Sequence, residues 1–169
     1  MRVLALLFAF AVPQGVLAEV PLKISLRVEG PPTVQAGRPL TLRFVVRNDG
    51  ASGIYFKQPW KWASNGMLVR ATDTSGATFE SDTILYHVRA DVACTFFKPL
   101  AEGEEFSFAV EFGNDEGAPR LRLPGPGAYD VSWVYNVRHY DDDDACAQGG
   151  WQVFKGSAKS KPMKLRVTR

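Results

Sequence analysis

An all-β, antiparallel sandwich is the fold class that the sequence predicts, and three observations predict it. Apolar and polar residues alternate along successive short runs, which is the period of a strand with one buried face. Clusters of Gly, Pro, Asn, Asp and Ser punctuate those runs at short intervals. No window sustains the 3.6-residue period of an amphipathic helix.

The elements follow in chain order. Leu22, Ile24, Leu26 and Val28 alternate with Lys23, Ser25 and Arg27 until Gly30-Pro31-Pro32 ends the run. Leu40, Leu42, Phe44 and Val46 alternate with Thr41, Arg43 and Arg47. Asn48-Asp49-Gly50 then turns the chain toward Ile54-Tyr55-Phe56, so these two runs are expected to pair as a hairpin. Residues 67–72 form the next strand, bracketed by Asn65-Gly66 and by Asp73-Thr74-Ser75-Gly76, with residues 77–80 returning against it. Residues 83–97 are mostly β-branched, aromatic or apolar and read as one or two strands. Phe106, Phe108, Val110 and Phe112 line one face of a further strand, and Tyr129, Val131, Trp133, Tyr135 and Val137 line another. Residues 151–154 and then Met163, Leu165 and Val167 supply the last two. Short connections imply mainly antiparallel pairing. No repeat or linker divides residues 19–169, which are expected to form one domain.

Residues 1–18 read as a cleavable secretory signal peptide. Arg2 is the positive n-region, residues 3–12 are an apolar run, Pro13 and Gly15 break it, and Val16-Leu17-Ala18 is a small-residue cleavage pattern. The run is shorter than the roughly 20 residues needed to span a bilayer, so no membrane insertion is expected. Glu19 stands where a lipoprotein signal would place Cys. The protein is therefore expected to be secreted or periplasmic. The 169-residue chain carries 20 Lys and Arg against 18 Asp and Glu, and loss of Arg2 brings the balance closer to neutral. A nucleic-acid binder normally carries a marked basic excess, so no nucleic-acid partner is expected.

Cys94 and Cys146 allow a single intramolecular pairing. In an oxidising compartment a structural disulfide is the expected state, with a metal pair or a reactive thiol as the alternatives.

Leu123-Pro124-Gly125-Pro126-Gly127-Ala128-Tyr129, leading into Val131 and Trp133, resembles the segment before a late strand of fibronectin-type-III and immunoglobulin-like domains. The resemblance implies an immunoglobulin-like sandwich with a tyrosine corner, in which the Tyr129 hydroxyl bonds back to nearby backbone. Gly37-Arg38-Pro39-Leu40-Thr41-Leu42 with Val46-Arg47-Asn48 is similar to secreted bacterial immunoglobulin-like modules, including the family of the Bacillus intracellular proteinase inhibitor. Antibody domains place the second Cys two residues after the corner Tyr, where this chain has Val131. A Cys94–Cys146 bridge should instead staple a long loop to a strand.

Two stretches stand out as candidate sites. Asp141, Asp142, Asp143 and Asp144 are consecutive carboxylates whose mutual repulsion a calcium ion would relieve. EF-hand spacing fails, because Cys146 falls where Gly is needed and Gln152 where the bidentate Glu should be. A solvated acidic loop is the competing reading, and no cofactor is expected apart from such a calcium. Tyr55, Trp60 and Trp62, interleaved with Lys57 and Lys61, offer an aromatic platform for a sugar ring or a partner's side chain. Burial of those rings in the core is the alternative.

His87 and His139 lack short metal-ligand spacing, and Gly50-Ala51-Ser52-Gly53 is not a nucleophile elbow. The expectation is a non-enzymatic binding or interaction module with a protein or carbohydrate partner in the cell envelope or outside. A proteinase inhibitor presenting residues 113–119 or 141–150 as a rigid loop, and a metal-dependent enzyme, are the competing classes.

Overall fold

A computed structural model of the chain describes residues 22–58, 67–81, 94–113, 119–136 and 141–169, and only the backbone of residues 67 and 141–143. The signal peptide, Trp60, Lys61, Trp62, His87 and His139 lie outside the described residues.

The described residues are all-β apart from short 3-10 turns. The strands are β1 (Ile24–Glu29), β2 (Thr33–Gln35), β3 (Leu40–Asn48), β4 (Ile54–Lys57), β5 (Met67–Asp73), β6 (Thr78–Glu80), β7 (Phe97–Leu100), β8 (Glu105–Phe112), β9 (Gly127–Tyr135), β10 (Gln152–Val153), β11 (Ala158–Lys159) and β12 (Met163–Thr168). One sheet has the order β1-β3-β8, a second β10-β4-β7, and a third β2-β12-β9-β5-β6 with β11 also on β9. Most pairs are antiparallel, as short connections require, but β2 runs parallel to β12 and β10 parallel to β4. The expected return of residues 77–80 against residues 67–72 is present as the β5–β6 hairpin, with Thr72 opposite Thr78.

The expected hairpin between residues 40–46 and 54–56 does not form. β3 pairs with β1 over residues 43–48 and with β8 over residues 40–47, whereas β4 pairs with β7 and β10. The reason lies at the end of β3, where Val45 and Val46 are both buried and Asn48 is buried beneath the following loop. Asn48 Nδ2 donates to the carbonyls of Ser52 (2.8 Å) and Leu100 (3.1 Å), and its Oδ1 accepts from the Gly50 amide (3.0 Å). These bonds carry the chain away from β3 and toward β7. Of the run read as strand over residues 83–97, the described residues 94–96 form a 3-10 turn and Phe97 begins β7.

The sheets face one another across a common core. Leu42, Phe44 and Val46 of β3 are fully buried, as are Ile54 and Phe56 of β4 and Val131, Trp133 and Tyr135 of β9. Aromatic rings tie the layers together: Phe44 lies 5.2 Å edge-on to Trp133, and Tyr135 lies 4.7 Å from Phe56. Edge-to-face and tilted pairs at these separations contribute about 0.5–1.5 kcal/mol each beyond area burial. The Trp133 Nε1 hydrogen finds no acceptor among the described residues. Outward-facing arginines are matched with carboxylates instead: Arg27 with Glu29 and Glu105, Arg43 with Glu29, Arg47 with Asp49, and Arg70 with Glu80.

β9 is completed on one side by β11 and β12 acting as a single bulged partner. The register places Ser160, Lys161 and Pro162 opposite only Ser132 and Trp133. Pro162 cannot donate to a ladder, and a bulge is where a sheet tolerates it. Ser160 closes the gap: its hydroxyl accepts from the Trp133 amide (2.9 Å) and its own amide donates to the Trp133 carbonyl (2.8 Å). At the start of β9 the Tyr129 hydroxyl donates to the Gly125 carbonyl at 2.7 Å, which is the back-bond expected of this segment.

Candidate functional site

β4 has two occupied faces. Ile54 and Phe56 point into the main core, while Tyr55 and Lys57 stand on the opposite face beside Phe97 and Val153. A second, small apolar cluster of Phe97, Cys146 and Val153, flanked by Tyr55 and Ala147, covers that face. It exists because the Cys94–Cys146 disulfide (S–S 2.00 Å, Cα–Cα 5.1 Å) draws the 3-10 turn Asp141–Cys146 onto the sheet. The bridge joins this turn to the turn of residues 94–96 that precedes β7, so it links turn to turn rather than loop to strand.

Trp151 completes the surface. Gly149 and Gly150 have φ of +65° and +78°, a conformation that L side chains rarely adopt, and they turn the chain so that Trp151 precedes β10. Its indole lies against Gly53: a Cβ there would stand 2.1 Å from Trp151 Cε2, so the position has room only for Gly. The half-buried Tyr55 and Trp151 rings are 5.9 Å apart and tilted by 57°. Next to them Lys57 Nζ lies 5.4 Å from the Phe97 ring centroid, in cation–π range. The Phe154 amide donates to the Tyr55 carbonyl (3.0 Å) and the Tyr135 hydroxyl to the Lys57 carbonyl (3.1 Å), which anchors β4 from both layers.

Of the residues singled out from sequence, Tyr55, Lys57, Cys94, Cys146 and Asp144 therefore gather at one end of the molecule. Trp60, Lys61 and Trp62 lie outside the described residues, as do the side chains of Asp141, Asp142 and Asp143. The exposed Asp144 accepts a hydrogen bond from Lys155 Nζ at 2.5 Å. No group of three or more potential metal-ligating side chains occurs among the described residues. Trp151 was legible in the sequence only as the start of a strand; the Gly149-Gly150 pair before it is the signal that it leads out of a turn.

Among the described residues, two groups have clearly displaced protonation, and both are exposed. Arg27 is held further toward its charged form, chiefly by its hydrogen bond to Glu29. The Asp73 carboxyl is held below the ordinary aspartate range, first by the Ser75 hydroxyl and then by the amides of the β5–β6 turn.

No protein-family model and no curated protein matches the chain. Among solved structures it is similar to a CARDB domain from Pyrococcus furiosus, at 12% identity and a TM-score of 0.36 over 87% of this chain and 89% of that one. It is also similar to a β-glucosidase from Listeria innocua, at 13% identity and a TM-score of 0.36 over 86% of this chain and 16% of that one. The alkylpurine DNA glycosylase AlkC of Pseudomonas fluorescens matches at 13% identity and a TM-score of 0.33 over 85% of this chain and 30% of that one. Proteins so different in activity say nothing about what this chain binds.

Proposed function

We propose that the chain is an exported immunoglobulin-like sandwich that acts as a non-enzymatic binding module on a protein or carbohydrate partner in the cell envelope or outside it. The Tyr129–Gly125 back-bond and the facing of β3 and β4 onto β9 support the immunoglobulin-like reading. The Cys94–Cys146 disulfide supports an oxidising compartment, in line with the signal-like residues 1–18.

One observation carries the functional reading: the disulfide clamps a turn beside two half-buried aromatic rings, Tyr55 and Trp151, with Lys57 and the Asp144–Lys155 pair alongside. Aromatic rings bring large contact area at low conformational cost, and charged neighbours supply orientation. Rigid bracing lowers the ordering cost of association.

The test compares the purified protein with Tyr55→Ala and Trp151→Ala in co-sedimentation with peptidoglycan sacculi and insoluble polysaccharides, and in capture of envelope proteins by the immobilised chain. At least tenfold weaker binding of whatever the unaltered protein retains is expected, about 1.4 kcal/mol or more. Unchanged binding by both folded variants, or no retention of either class of partner, would overturn the reading.

A further inference from the structure

The opposite end of the molecule, where β3 begins and β8 ends, has a different chemistry. A cleft of about 430 Å³ opens there between the β2–β3 turn and the segment leading from β8 to β9. Leu40, Phe112 and Val167 form its apolar floor, and Arg38, Arg120 and Arg122 line it. No Asp or Glu is among the described residues that line it.

Outside the cleft, four described arginines are paired with carboxylates and two, Arg166 and Arg169, have no such partner among the described residues. Arg27, Arg43, Arg47 and Arg70 each stand within 4.0 Å of a carboxylate. Arg38 and Arg120 have no such partner among the described residues. Concentrating cations in one concavity costs repulsion that a bound anion removes, and low-dielectric walls strengthen the attraction.

The backbone that carries these residues is pinned. The Arg38 amide donates to the Gln35 carbonyl (3.1 Å), and the Ala36 amide to the Thr168 carbonyl (2.8 Å). The Gly113 amide donates to the Pro119 carbonyl (3.2 Å) just before Arg120. Leu121 forms a bridge with Ser81 and packs against the core, so it anchors the segment between Arg120 and Arg122. Guanidinium groups are planar donors suited to paired contacts with carboxylate or phosphate oxygens. The cleft falls in the roughly 300–1,000 Å³ range of small-molecule sites.

We propose that this cleft is a binding site for an oxyanion-bearing small molecule, with a phosphate or carboxylate group held by Arg38 and Arg120 and an apolar portion against Leu40 and Phe112. The site lies at the other end from the aromatic platform, and neither reading depends on the other.

The experiment is calorimetric titration of the purified protein with inorganic phosphate and, separately, with citrate at low ionic strength. Unaltered protein, Arg38→Gln/Arg120→Gln and a control, Arg70→Gln, are compared. Saturable binding of at least one anion is expected, weakened tenfold or more in the double variant and unchanged in the control. Phosphate alone or citrate alone identifies the oxyanion class. Amide shift changes in the unaltered protein at Gly37 and Leu121 localise the anion independently of any variant's folding. Absence of saturation by both anions, or shift changes that avoid the cleft, would overturn the proposal, as would equal weakening in Arg70→Gln.

Discussion

Asn48 connects the core to the candidate platform through one side chain. Both of its amide hydrogens and its carbonyl are engaged inside the protein, and its backbone amide and carbonyl bond to Glu104 and Gly103 of the β7–β8 turn. The loop it holds ends at Gly53, the residue on which Trp151 lies. Replacing Asn48 with Ala leaves the Ser52 and Leu100 carbonyls and the Gly50 amide without their partner, in a place where the side chain is fully buried. Leaving buried polar groups unmatched costs about 1–3 kcal/mol. Asn48→Ala is therefore expected to lower the urea midpoint with an unchanged slope, and an unchanged midpoint would show that water replaces the side chain without loss. In sequence Asn48 reads only as the first residue of an Asn-Asp-Gly turn. Its second role, bonding to Leu100 far along the chain, depends on where β7 is placed and leaves no local trace.

At the scale of elements, β9 is the strand that the other parts of its sheet depend on, and Ser160 is the residue that closes its ladder at the bulge. Ser160→Ala removes the acceptor of the buried Trp133 amide while keeping the strand's shape. A loss of about 1–3 kcal/mol follows from the orphaned donor. Hydrogen exchange at the Trp133 amide should rise well above that of the Val131 amide, which the bulge does not involve; equal protection would refute this account.

The same strand shows what was readable. β1, β3, β8, β9 and β12 were all visible as period-two runs because each has one face on the core and one in solvent. β2 and β11 were not, because strands of three and two residues are too short to display a period. Pairing was less legible than existence. An Asn-Asp-Gly turn favours a hairpin locally, and burial of Val45, Val46 and Asn48 at the end of β3 overrides it. Of the proposed platform, sequence composition pointed to Tyr55, Lys57 and Asp144, and not to Trp151; nor did it point to the arginine cleft. Those depend on which turns meet.

For the whole molecule, the Cys94–Cys146 bridge sets how the two apolar clusters share stability. The main core spans three sheets and carries its own aromatic network, whereas the second cluster has three buried members, Phe97, Cys146 and Val153, among the described residues. Those three side chains alone bury little apolar surface against the entropy of ordering the 3-10 turn Asp141–Cys146. With a sequence separation of 52 residues, the cross-link stabilises the fold by about 4 kcal/mol in the chain-entropy model. Cys94→Ser/Cys146→Ser should lose a comparable amount in urea unfolding. The loss should be uneven: amides of β10 and of residues 144–151 should lose exchange protection before those of β3 and β9, because only the former depend on the small cluster. If the platform reading is correct, partner binding falls in the double variant even below its unfolding midpoint, where the main core remains intact. A double variant that unfolds uniformly, with β3 and β10 exchanging together, would mean that the bridge stabilises the molecule as one unit and does not serve the aromatic end in particular.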